Sequence, residues 1–182
     1  MKHPLERLSA PQQRRLFWVS LALTLTCVIV FAVSGAALTT ASAPQGIVSL
    51  QMAGSVRRAE AVLAGWDTTA RSAAAFGLGF DYLFMPLYAT SVALGCLMAQ
   101  VVLRRARWPL ASWGVMASWG VWLAALFDAL ENFALTVEML SGVTPPWPQM
   151  AWICALLKFA LLAAGLVYAF YGLAARLGQS LS

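Results

Sequence analysis

The chain of 182 residues is 61% hydrophobic and only 10% charged, against about 25% charged in an ordinary soluble domain. Mean hydropathy is +0.75, the formal net charge is +5 and the pI is about 9.6. Such a composition excludes a disordered chain, a collagen-like repeat and a water-soluble globule. It leaves one domain's length of chain, residues 1–182, that has to sit in lipid.

Four apolar runs are long enough, at about 20 residues each, to cross a hydrocarbon core. They are Leu16–Leu38, about Asp81–Leu103, about Leu110–Leu135 and about Met150–Ala175. The short alternating segments of a membrane barrel are missing. The sequence therefore predicts an all-α integral membrane protein, a four-transmembrane-helix bundle with an amphipathic helix in the first extracytoplasmic loop.

Ahead of the first run, Ser9 and Gln12 fit an S-x-x-Q capping box, so helix is expected from about Ser9. Ala41, Ser42 and Ala43 imitate a signal-peptidase site, but the run before them is far longer than a signal peptide's 7–15 residues. It is read as a span that stays. The outer loop, 39–78, is too long for a bare connector. Within it, Ile47 to Leu63 sets Leu50, Val56, Val62 and Leu63 among Arg57, Arg58 and Glu60. That pattern predicts an amphipathic helix closed by Gly65. Packing against the protein as a lid is the plainer use of such a stripe. Asp67 is placed to cap a short helix over 68–76, and Gly77 and Gly79 read as a joint before the second span.

Basic residues orient the spans. Lys2, Arg7, Arg14, Arg15, Arg104, Arg105, Arg107 and Arg176 fall on one side, and Arg57, Arg58 and Arg71 on the other. The positive-inside rule then predicts both termini in the cytoplasm. Trp147 and Trp152 suit the outer interface, and Trp108 and Tyr171 the inner one. Gly114, Ser118, Ala160 and Ala164 offer small surfaces for helix contact. Abundant Ala, Gly and Arg beside only two lysines points to a GC-rich bacterial genome, hence a bacterial inner (plasma) membrane.

Heights measured from the cytoplasmic arginines, at 1.5 Å per residue, place Asp81 about 34 Å, Asp128 about 31 Å and Lys158 about 27 Å away. Glu131 and Asn132 follow Asp128 by three and four positions and share its helical face. An ionisable group in hydrocarbon costs roughly 2.5–3.5 kcal/mol on insertion scales, so several at one depth are expected to pair. With three acids against one lysine, either a carboxyl keeps its proton or a cation joins. An all-oxygen set of Asp81, Asp128 and Glu131 would suit Ca²⁺, Mg²⁺ or Mn²⁺. On the second span, Tyr82 and Tyr88 flank Pro86, whose missing N–H frees the Tyr82 carbonyl. Phe80, Phe84, Trp122, Phe127 and Phe133 would line a greasy cavity beneath a charged rim. The ligand-binding candidates are therefore Asp81, Tyr82, Tyr88, Asp128, Glu131, Asn132 and Lys158. A plainer reading has Asp81 as a helix cap, Glu131 in the headgroup zone and Lys158 snorkelling outward.

Cys27, Cys96 and Cys154 lie in apolar runs without CxxC spacing, and His3 is the single histidine. Zinc, thioredoxin-like and bis-His haem sites are thereby excluded within one chain. No phosphate loop, nucleophile elbow or HExxH occurs. No cofactor and no nucleic-acid partner are expected. In layout, with Phe80–Tyr88 and Phe127–Phe133 as its most distinctive strings, the chain is similar to EXPERA-type sterol-binding and sterol-isomerase proteins, which set acids beneath an apolar cavity in a compact helical membrane core. The intramembrane histidine of the isomerases has no counterpart here, and no residue role is carried over. The expected function is binding, with transformation left open, of a lipid-like or amphiphilic small molecule at an acidic pocket near the outer face. The partners are then membrane lipids. Membrane protein partners or a homo-oligomer are the further partner possibilities. An accessory or structural subunit of a larger membrane complex is the first alternative function; a small ion- or proton-coupled carrier is the second.

Overall fold

The computed structural model describes residues 2–180, and no strand forms among them. Six α-helices follow in order: α1 Ala10–Ser34, α2 Ile47–Gln51, α3 Val56–Ala64, α4 Thr68–Ala106, α5 Gly114–Ser141 and α6 Trp147–Ser180. A 3₁₀ turn, Pro4–Arg7, precedes α1, and another, Gly35–Leu38, extends it. Four helical segments are long and apolar enough to cross a membrane: Ala10–Leu38, Thr68–Ala106, Gly114–Ser141 and Trp147–Gln179.

Helices α1 and α4 begin ahead of their apolar runs, each behind a side-chain cap. Ser9 precedes α1, and the Gln12 side chain reaches back to accept its backbone N–H at 2.8 Å, one arm of the expected capping box. The second span differs most from expectation. Asp67 does cap, its Oδ1 accepting the Ala70 N–H at 2.8 Å. The helix it starts is not short, however: it runs unbroken through Gly77 and Gly79 to Ala106. A helical glycine costs about 1 kcal/mol, and burial of Ala70, Ala74 and Leu78 at four-residue spacing outweighs that. No joint exists there, and Asp81 sits inside a helix rather than at its cap.

The single loop helix expected from Ile47 to Leu63 is two helices, α2 and α3. The chain turns between them at Gly54, with φ of 63°, a conformation that favours glycine. At the start of α5, Leu110 has φ of 61°, so the helix begins at Gly114 instead. Ala160 and Ala164 are exposed; on α6 the close approaches are at Gly165 and Gly172.

Contacts group into two compact units: residues up to 24, 86–125 and from 158 onward form one, and 25–85 with 126–157 form the other. The first unit packs around Cys96, Ala99, Leu103, Tyr168 and Ala175. A Cβ on Gly165 would overlap Val121, and one on Gly172 would overlap Ala99, so α6 lies hard against its neighbours there. The second unit packs around Leu50, Leu63, Trp66, Leu78 and Leu135. Its loop helices are pinned by side chains. The Trp66 indole N–H donates to the Leu38 carbonyl at 2.9 Å. Arg71 donates to the carbonyls of Leu63 (2.7 Å) and Trp66 (3.3 Å), satisfying the open carbonyl end of α3.

Candidate functional site

The second unit holds most of the predicted polar residues. On α5, Asp128 is 4% exposed, and Glu131 and Asn132 are fully buried. Their shared face, inferred from three- and four-residue spacing, therefore turns inward. Asn132 links α5 to α4: its Nδ2 donates to Asp81 Oδ2 at 2.8 Å and to the Leu78 carbonyl at 3.3 Å. Two acceptors on that side fix which end of the amide is nitrogen. The Oδ1 is thus committed to the opposite direction, where it is buried and receives no hydrogen bond.

Tyr82 behaves differently. Its hydroxyl donates to the Ala129 carbonyl at 3.3 Å, while the residue is 48% exposed. It ties α4 to the polar stretch of α5 from a partly exposed position. Phe31 stacks edge-on against Phe80 and Phe84, with centroids 5.3 and 5.4 Å apart, so these rings pack into an aromatic cluster with α1.

Tyr88 and Lys158 belong to the first unit, where each is buried, at 4% and 7% exposure. The Lys158 ammonium lies 5.0 Å from the centroid of the Phe159 ring, within cation–π range. Burial excludes the snorkelling posture for Lys158.

Among the described residues, no group of three His, Cys, Asp or Glu side chains that could hold a metal ion is formed. The Ca²⁺, Mg²⁺ or Mn²⁺ set of Asp81, Asp128 and Glu131 is therefore not assembled. Cys27, Cys96 and Cys154 are buried free thiols.

Sequence reasoning passed over Glu138. It is 1% exposed, and neither carboxylate oxygen has a hydrogen-bond partner. The signal was available: Glu138 follows Glu131 by seven positions, two helical turns along the same face. It escaped notice because the third span was ended at Leu135, whereas α5 continues to Ser141. Gln51 Oε1, on α2, is likewise buried without a donor.

No family model matches the chain, and no curated protein and no solved structure is detectably similar to it.

Proposed function

We propose that the protein is a membrane-inserted binding protein for a lipid-like or amphiphilic small molecule whose polar head carries hydrogen-bond donors. The head would meet Asp81, Asp128, Glu131 and Asn132, with Tyr82 bracing α4 against α5. Asn132 carries the reading. Its amide nitrogen is occupied by Asp81 and Leu78, so its buried oxygen is aimed, without a donor, from a face that also buries Asp128 and Glu131. A buried carbonyl without a donor costs about 1–3 kcal/mol, and a hydroxyl or amine on a ligand would remove that cost. Intramembrane acids are functional by default. If a reaction follows binding, a carboxyl of this group would be its proton donor.

In this reading both termini lie in the cytoplasm of a bacterial cell, on the positive-inside argument. The polar stretch of α5 then lies toward the outer face. The α3 helix buries Ala59, Val62 and Leu63 and exposes Arg57, Arg58 and Glu60, consistent with an amphipathic cover on that side.

The test is the pair Asp128→Asn and Glu131→Gln, read by folded yield in detergent and by the lipids retained on purification. Unchanged folding with a retained amphiphile lost is the expected result. Loss of folding with unchanged lipid content would make the polar face purely structural. The accessory-subunit alternative has its own readout: native mass spectrometry showing a stoichiometric protein partner and no small molecule.

A further inference from the structure

The first two turns of α1 form a second polar feature. A surface hollow of about 370 Å³ is lined by Ala10, Pro11, Arg14, Arg15 and Trp18. Arg14 and Arg15 are exposed, and neither has an acidic or hydrogen-bonding partner among the described residues. No acid stands in the first turn of α1. The nearest one upstream, Glu6, already accepts the His3 backbone N–H at 2.7 Å. Two guanidiniums beside an open hollow thus present ten N–H donors and no counter-charge.

What lies next along the helix selects the occupant. Trp18 follows Arg14 by four positions and Arg15 by three, about 5 Å further along the axis. Trp18 is 61% exposed and shares the lining of the hollow. Beyond it, Val19, Ala22 and Leu23 are exposed too, and only 17% of the most apolar window of this span is buried. Charge, then an amphipathic ring, then an apolar wall is the order of phosphate, glycerol and acyl chain in a lipid leaflet. A soluble phosphate would use only the first of the three.

We infer that Arg14, Arg15 and Trp18 form a binding site for the headgroup of an anionic phospholipid, its acyl chains lying along α1. The inference rests on the membrane reading of α1 but not on the ligand proposed for the acidic face of α5, so either can fail without the other.

The experiment uses full-length protein in neutral detergent, with retained lipid counted by native mass spectrometry during titration with phosphatidylglycerol or phosphatidylcholine. The wild type should prefer phosphatidylglycerol at least fivefold. Arg14→Gln/Arg15→Gln should abolish that preference with an unchanged circular dichroism spectrum. Arg104→Gln/Arg105→Gln, which removes equal charge from the end of α4, should keep it. The single variants Arg14→Gln and Arg15→Gln, each expected to weaken the preference, serve if the double variant misfolds. A preference untouched by the α1 substitutions overturns the site. So does one lost equally in both double variants, which would be net charge alone. Displacement of phosphatidylglycerol by millimolar inorganic phosphate would overturn the lipid as occupant.

Discussion

The two packed units treat their buried polar groups in opposite ways. In the unit of residues up to 24, 86–125 and from 158 onward, buried side chains answer backbone groups. Ser20 donates to the Leu16 carbonyl at 2.7 Å and Ser91 to Tyr88 at 3.0 Å. Ser118 donates to Ala93 at 3.0 Å and to Gly114 at 2.8 Å. Gln100 accepts the Val115 N–H at 3.1 Å, and Tyr168 donates to Leu110 at 3.1 Å. The Trp122 indole is an exception. In the other unit, Gln51 Oε1 on α2 is buried without a hydrogen bond, as are Asn132 Oδ1 and the Glu138 carboxylate on α5, the helix that also buries Asp128 and Glu131. Buried polar atoms are normally satisfied, and those that are not mark function or strain. The first unit is built for stability; the second gives some of it up.

The strongest way to break this comparison is at the tightest contact of the first unit. Gly172→Val would drive a side chain into Ala99. Overpacking of this kind costs about 3 kcal/mol, and the expected result is a large fall in melting temperature and in monodisperse yield. Tolerance of the valine would show that α6 is not held there.

Glu138 sharpens the comparison in the other direction. Replacing an unsatisfied buried acid with an apolar residue of similar volume stabilises by about 1–3 kcal/mol. Glu138→Met should therefore raise the melting temperature. A fall would mean that the carboxyl makes a stabilising interaction. A smaller effect belongs to Gln100, which caps the first turn of α5 from α4. Gln100→Ala should cost about 1 kcal/mol, read by thermal unfolding followed at far-ultraviolet wavelengths.

The smallest effect concerns the amino-terminal turn. His3 is 2% exposed, its ring centroid 4.8 Å from that of Trp119, and its Nδ1 accepts the Leu5 N–H at 3.3 Å. Burial pushes the imidazole below its usual value of 6.5, against the opposing pull of the Glu6 carboxylate. The docked turn thus favours neutral His3. Its contribution is full above pH 6.5 and declines as the pH falls below that value. Tryptophan emission should change reversibly in that range in the wild type and stay flat in His3→Phe; an equal change in both would assign it elsewhere.

Much of this was legible in the sequence, for identifiable reasons. Hydropathy alone located four helices long and apolar enough to cross a membrane, because lipid demands long apolar runs. Spacing alone put Asp128, Glu131 and Asn132 on one face, and their burial agrees. The ends of helices were harder to read. Gly77 and Gly79 look like breakers, yet the buried alanines before them carry α4 through both. Gly54, lost inside an amphipathic pattern, is where the chain turns. The direction of the Asn132 amide was out of reach, because it depends on Leu78 and Asp81 arriving from another helix.

The most direct test of the acidic face is covalent labelling with a hydrophobic carbodiimide, which modifies carboxyls in apolar surroundings, mapped by mass spectrometry. In protein stripped of co-purifying lipid, label is expected on Asp128 or Glu131, and restoring the native lipid extract should block it. Failure of both residues to label, or labelling indifferent to the returned extract, would contradict a ligand site there.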